Sequence, residues 1–119
     1  MSIRKGIYNL LKATETDVYA LAAPQELTDT YAVFSVRIEY VRSQDGVEVK
    51  EASLSLNIYA NTMAACVTLA DSFSAALENA SGTYDSESLI VGLFLSESDD
   101  YIENLDKYVI SQEYLLKFL

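Results

Sequence analysis

Histidine and tryptophan are absent from the sequence, and cysteine, proline and glycine number only one, one and four. Without histidine, no imidazole serves as a general base near neutral pH, as the partner of a Ser or Cys nucleophile, or as a metal ligand. The lone cysteine, Cys66, forms neither an internal disulfide nor a Cys-only zinc site. Gly6, Gly46, Gly82 and Gly92 lie too far apart to build a phosphate-cradling loop, and no Walker or dinucleotide pattern is present. No apolar run approaches the roughly 18 residues of a membrane-spanning helix. Arg4 and Lys5 precede an apolar patch, but Asn9 and Lys12 interrupt it and no small-residue cleavage site follows. Synthesis in the cytoplasm without a secretory leader is therefore the expectation. The Asn79-Ala80-Ser81 triplet fits a glycosylation acceptor, yet nothing else argues for secretion. These absences point away from an enzyme and from any cofactor, toward a binding or structural role.

What the sequence does hold is apolar bulk and carboxylate. Half of its 119 residues are hydrophobic, enough for the core of one domain spanning 1–119 and too short a chain for two. Eighteen acids against eight bases give a formal charge of −10. The spread is uneven: residues 1–12 carry Arg4, Lys5 and Lys12 with no acid, while residues 51–106 carry ten acids and no base. Such a surface repels phosphate backbones and anionic lipid, so neither nucleic acid nor a membrane is an expected partner. A basic protein surface is, although keeping an apolar-rich chain soluble is the plainest reading of the charge. The densest polar cluster is Glu97, Ser98, Asp99, Asp100, Glu103 and Asp106, whose oxygens are of the kind Ca²⁺ and Mg²⁺ bind. Its spacing departs from an EF-hand loop, because counting from Asp99 puts Asn104 at the glycine position. Nothing sets two of these carboxylates in different environments, as acid–base catalysis requires. The cluster reads as a solvated acidic turn, and no catalytic or metal-ligating residue is assigned.

Hydrophobic periodicity supplies the elements. Ile3, Ile7, Leu10 and Leu11 form one stripe and predict a helix over 3–13, flanked by Arg4, Lys5 and Lys12. A short apolar strand over 18–22 ends at Pro24. Residues 31–42 and 49–59 both alternate with their apolar side chains at even numbers. A two-residue Asp45-Gly46 turn would pair odd with even and put one apolar face in water. A three-residue Gln44-Asp45-Gly46 loop, with Gly46 left-handed, closes Ser43 against Val47 instead. That register pairs Ile38 with Ala52, Val36 with Leu54, Phe34 with Leu56 and Ala32 with Ile58. It also sets Glu39 opposite Glu51, with Arg37 on the diagonal to relieve them. Met63, Cys66, Leu69, Ala70, Phe73, Ala76, Leu77 and Ala80 predict a helix over 62–80, capped by Asn61 or Thr62 and stopped by Gly82. Cys66 lies on its apolar stripe and reads as a small core residue. Residues 89–95 read as a strand covered on both faces, and 107–118 alternate again. The expected fold class is α+β: an antiparallel sheet of about five strands with two helices packed on one face, order α-β-β-β-α-β-β.

Tyrosine is in surplus, nine against four phenylalanines. Its apolar ring and polar tip suit positions that are buried in an assembly and wet outside it, although tyrosine is also a good strand former. Tyr31, Tyr59 and Tyr101 are expected off the helix-covered face and are the candidate subunit or partner contacts. The two edges of such a sheet offer a further means of pairing between copies.

The layout resembles that of phage tail-completion proteins over essentially the whole chain. The resemblance is carried by the 3–11 helix, by Val18-Tyr19 running on to Ala23-Pro24-Gln25, and by the strand 31–40. It continues in Leu54-Ser55-Leu56-Asn57-Ile58-Tyr59-Ala60 leading into the Ala-rich helix 63–80, then an acidic turn and a final strand over 108–118. It implies a tail-terminator or head–tail joining protein of a long-tailed phage or prophage. Such a protein forms a ring, usually a hexamer, which caps the tail tube, blocks further subunit addition and docks to a head connector or stopper protein. The partners implied are other copies of the chain, the tail tube protein and the connector. The location implied is the tail or neck of the virion, with the host cytoplasm during assembly. In a ring, the uneven charge predicts one acidic surface or lumen and a less acidic face bearing the first helix. Two other classes stay open: an acidic secretion-chaperone-like dimer that binds unfolded effector segments, and a small hydrolase using carboxylates and a metal.

Overall fold

Alternating apolar residues need a partner on one face only, and the chain folds to provide it. The computed structural model describes residues 3–14, 18–20, 30–42, 48–78, 80–84, 87–104 and 106–119. In chain order the elements are α1 (Ile3–Thr14), β1 (Val18–Ala20), β2 (Tyr31–Arg42), β3 (Glu48–Ala60), α2 (Met63–Leu77), β4 (Gly82–Tyr84), β5 (Glu87–Ile102) and β6 (Lys107–Phe118). The six strands form one sheet, ordered β1-β2-β3-β6-β5-β4. Neighbours are antiparallel except β1 and β2, which are parallel. The α+β class stands, and the expected antiparallel sheet of about five strands is corrected twice. β1 makes the sheet mixed, and β4 adds a sixth strand. β4 is three residues long, too short for alternation to reveal it. β1 lies within the strand expected over 18–22 but pairs in parallel, a direction that apolar pattern does not show.

The β2–β3 register is the one that parity requires. Ile38 faces Ala52, Phe34 faces Leu56 and Arg42 faces Glu48; the closing loop 43–47 lies outside the described residues. Glu39 stands opposite Glu51, and Arg37 Nη2 lies 3.0 Å from Glu39 Oε1. The even residues of β3 (Ala52, Leu54, Leu56, Ile58 and Ala60) are fully buried beneath the helices, each of the larger ones contributing about 1.5–3 kcal/mol by burial. Thr62 caps α2, its Oγ1 accepting from Ala65 N at 3.2 Å. Cys66 is buried as expected, its Sγ donating to the Ile58 carbonyl at 3.2 Å, and burial pushes its thiol up.

The helix ends at Leu77, not at 80, and Gly82 is part of β4 rather than a stop. Glu78 turns extended as the C-cap, its N–H donating to the Ser74 carbonyl. Gly92 lets the helix end come close, since a Cβ there would lie 2.0 Å from the Leu77 carbonyl oxygen. The last turn of α2 therefore rests directly on the β5 backbone.

β5 departs most from expectation. It runs on through 97–102, so most of the expected acidic turn is strand, and among the described residues that follow, 103, 104 and 106 are turn. Its pairing with β6 shifts between Leu89 and Val91 and again between Phe94 and Ser96. Each bulge inserts a residue and exchanges the two faces. The helix-side positions are thus Leu89, then Gly92 and Phe94, then Glu97, Asp99 and Tyr101. Coverage on both faces is corrected too, since Ile90, Leu93 and Leu95 are exposed.

α1 packs against both β1 and β4, the outermost strands, as well as α2. In a flat sheet those two strands would stand about 24 Å apart, farther than the ~18 Å length of a 12-residue helix. The sheet therefore curls into a half-barrel, with both helices filling its hollow side.

Candidate assembly interface

The expected contact tyrosines separate into two groups. Tyr31 and Tyr59 face each other across β2 and β3 on the side away from the helices, their rings stacked at 5.0 Å and 17°. Lys107 Nζ sits 5.6 Å from the Tyr31 ring centroid and donates to Asn61 Oδ1 at 2.6 Å. This cover leaves Tyr31 only 9% exposed and Tyr59 half-buried. Burial, and then the neighbouring Tyr59, push the Tyr31 hydroxyl up. Tyr101 is elsewhere. The bulges of β5 bring it to the helix side, beside Tyr108 with rings 5.0 Å apart, where it stays 41% exposed. Its expected position off the helix-covered face is therefore corrected. Its hydroxyl donates to Asp106 Oδ1, the first-ranking cause that pushes that hydroxyl up. Asp106 itself takes a left-handed conformation, φ 52°, which closes the β5–β6 turn.

The acidic cluster is a strand end. Glu97, Asp99, Asp100 and Glu103 are exposed, and only Glu97 is tied inward, accepting from Gln112 Nε2 at 2.8 Å. Among the described residues, no group of three or more acidic or cysteine side chains is gathered closely enough to hold a metal ion.

The sequence led to the expectation of two open sheet edges, and the structure identifies the strands that form them. β1 covers β2 only at 32–34, and β4 covers β5 only at 87–89. Among the described elements, 35–42 of β2 and 90–102 of β5 therefore have no strand outside them. These edges lie at opposite sides of the sheet. Three antiparallel steps separate β2 from β5, so the two strands run in opposite directions. A copy placed alongside in the same orientation would bring β5 antiparallel to β2 of its neighbour. The β5 edge is also apolar, with Leu95 57% exposed next to exposed Ile90 and Leu93. The signal for it was the bulge pattern, which alternation does not show.

No protein-family model matches the chain, and no curated protein matches it in sequence. Its fold does have solved counterparts. It superposes with TM-score 0.78 on a chain of the virion of a native gene transfer agent particle, at 19% identity over 98% of this chain and 94% of that one. The chain shares its fold with a virion component. A second solved chain superposes with TM-score 0.67 at 11% identity, over 98% of this chain and 89% of its own. At these identities the likeness is one of fold.

Proposed function

We propose that this protein is a structural assembly protein of a phage or prophage virion, forming a ring that caps the tail tube and joins it to the head connector. The observation that carries this reading is the end-to-end superposition on a chain of a virion particle. Two features support the ring. Edges on opposite sides of one sheet that no described strand covers suit a head-to-tail contact between copies, which forms a ring where its rotation closes. Their antiparallel directions let each new contact add backbone hydrogen bonds, each worth about 0.5–1.5 kcal/mol. The proposed action is steric: the ring matches the last ring of the tube, ends its growth and offers its other surface to the connector. That action asks for no nucleophile, cofactor or metal. The protein would reside in the tail or neck of the particle and meet its partners in the host cytoplasm.

Native mass spectrometry over rising concentration, alone and with tail tube protein, tests the proposal. A hexamer, or a ring that appears on tube ends, is the expected result. A tight dimer that captures an unfolded peptide would replace it with the secretion-chaperone reading.

A further inference from the structure

α1 and β2 leave a groove of about 500 Å³ between them, lined by Arg4, Lys5, Tyr8, Ala20, Phe34 and Val36. Its floor is aromatic and aliphatic and its rim is basic, on the one element that has three bases and no acid. The opposite side of the sheet ends in the reverse pattern. Glu97, Asp99, Asp100, Glu103 and Asp106 lie along the same stretch as the exposed Tyr101, with no base from 97 to 106. Register puts groove and acidic end at one height. Phe34 faces Leu56, Leu56 faces Gln112, and Gln112 faces Glu97. When two copies stand side by side in the same orientation, Glu97 of one arrives level with Phe34 in the groove of the other. Asp99, which lines up through Ile110 and Ile58 with Ala32, follows two residues further toward the start of β2.

We infer that the groove between α1 and β2 seats the acidic end of β5, with Tyr101 at its tip, from a second copy of the chain. The inference rests on the ring reading above and names the surfaces that would meet in it. The acidic end is preorganised for the role, because the Tyr101 ring packs on Tyr108 and its hydroxyl is held by Asp106. Arg4 and Lys5 at the rim supply opposite charge to Asp99 and Asp100, which steers the encounter and fixes its direction. The groove and the acidic end lie on different sides of one chain, so every copy gives one contact and receives another.

Charge reversal tests this directly. One variant carries Arg4→Glu and Lys5→Glu; the other carries Asp99→Lys and Asp100→Lys. All four changes are at exposed positions, and circular dichroism checks that each variant keeps the wild-type fold. Sedimentation velocity is expected to show each variant alone associating about tenfold more weakly than wild type, or worse. An equimolar mixture is expected to recover the wild-type assembly. Mass-labelled copies should then alternate around the ring, since only unlike neighbours attract. Wild-type rings with both variants assembling equally well would overturn the groove assignment and leave the ring standing. A wild-type chain that stays monomeric, even with tail tube protein, would overturn the ring and this inference with it.

Discussion

Gln112 shows how one polar side chain ties three elements together. It is buried on the helix side of β6. Its Nε2 donates to the Ala70 carbonyl of α2 at 3.1 Å and to Glu97 Oε1 of β5 at 2.8 Å. Its Oε1 accepts from the hydroxyl of the fully buried Tyr114 at 2.7 Å. Among the described residues no buried side-chain nitrogen or oxygen lacks a partner. Burial pushes the Tyr114 hydroxyl far up, with Ser74 pulling the other way. The neutral phenol is thus the form that the fold favours. Its stabilisation is fully present below the unfolded value of about 10 and is lost as pH rises above it. Tyr114→Phe leaves Gln112 Oε1 without its donor and is expected to cost about 1–3 kcal/mol at neutral pH. Urea unfolding of wild type and variant on either side of pH ~10 checks this, because the gap should narrow on the alkaline side. A gap that stays constant would mean that the phenol is not held neutral by the fold. The face of Tyr114 was legible from alternation. The role of Gln112 was not, because two of its partners come from other elements, α2 and β5.

At the scale of elements, Gly92 decides how closely the end of α2 approaches β5. A methyl group there meets backbone, the Leu77 carbonyl oxygen at 2.0 Å, and also Leu116 Cδ2 at 3.1 Å. A carbonyl cannot rotate aside as a side chain does, so the helix end must lift from β5. Gly92→Ala is expected to destabilise the fold by about 1–3 kcal/mol, with amide exchange rising first in the last turn of α2. Unchanged exchange over 74–78 would show that the helix end does not rest on Gly92. The elements that the sequence made legible share one property: their period is unbroken. α1, β2, β3, most of α2 and β6 keep a single periodicity from end to end, and the β2–β3 register followed from parity together with the expected three-residue loop. β5 keeps its direction but changes faces twice, so its apolar residues looked covered and its acidic end looked like a loop. Tyr101 was assigned to the wrong face for the same reason. Tyr31 was placed on the correct face, but its cover of Tyr59 and Lys107 depends on strand neighbours that periodicity does not reveal.

The whole molecule sets a repulsion that any assembly has to overcome. The curl of the sheet was not legible, because it arises from one helix touching two edge strands. The charge was fully legible: each copy carries −10 within a body about 25 Å across its second axis. As point charges at that separation in water, two copies repel by on the order of 15–20 kcal/mol. Salt changes this steeply. At 0.01 M the screening length is ~30 Å and nearly half of the repulsion survives, whereas at 0.15 M it is ~8 Å and less than about 1 kcal/mol remains. In the proposed contact, Arg4 and Lys5 would meet Asp99 and Asp100 of a neighbour at a separation shorter than the screening length, so these pairs would outlast that screening. They weaken once the screening length reaches ~3 Å near 1 M. Self-association is therefore expected to strengthen from 0.01 to 0.15 M salt and to weaken again toward 1 M. Sedimentation equilibrium at these three concentrations measures it. A steady fall from the lowest salt upward would mean that local attraction outweighs the net charge throughout, and a steady rise to 1 M would leave the apolar β5 edge, without the charge pairs, holding the copies together.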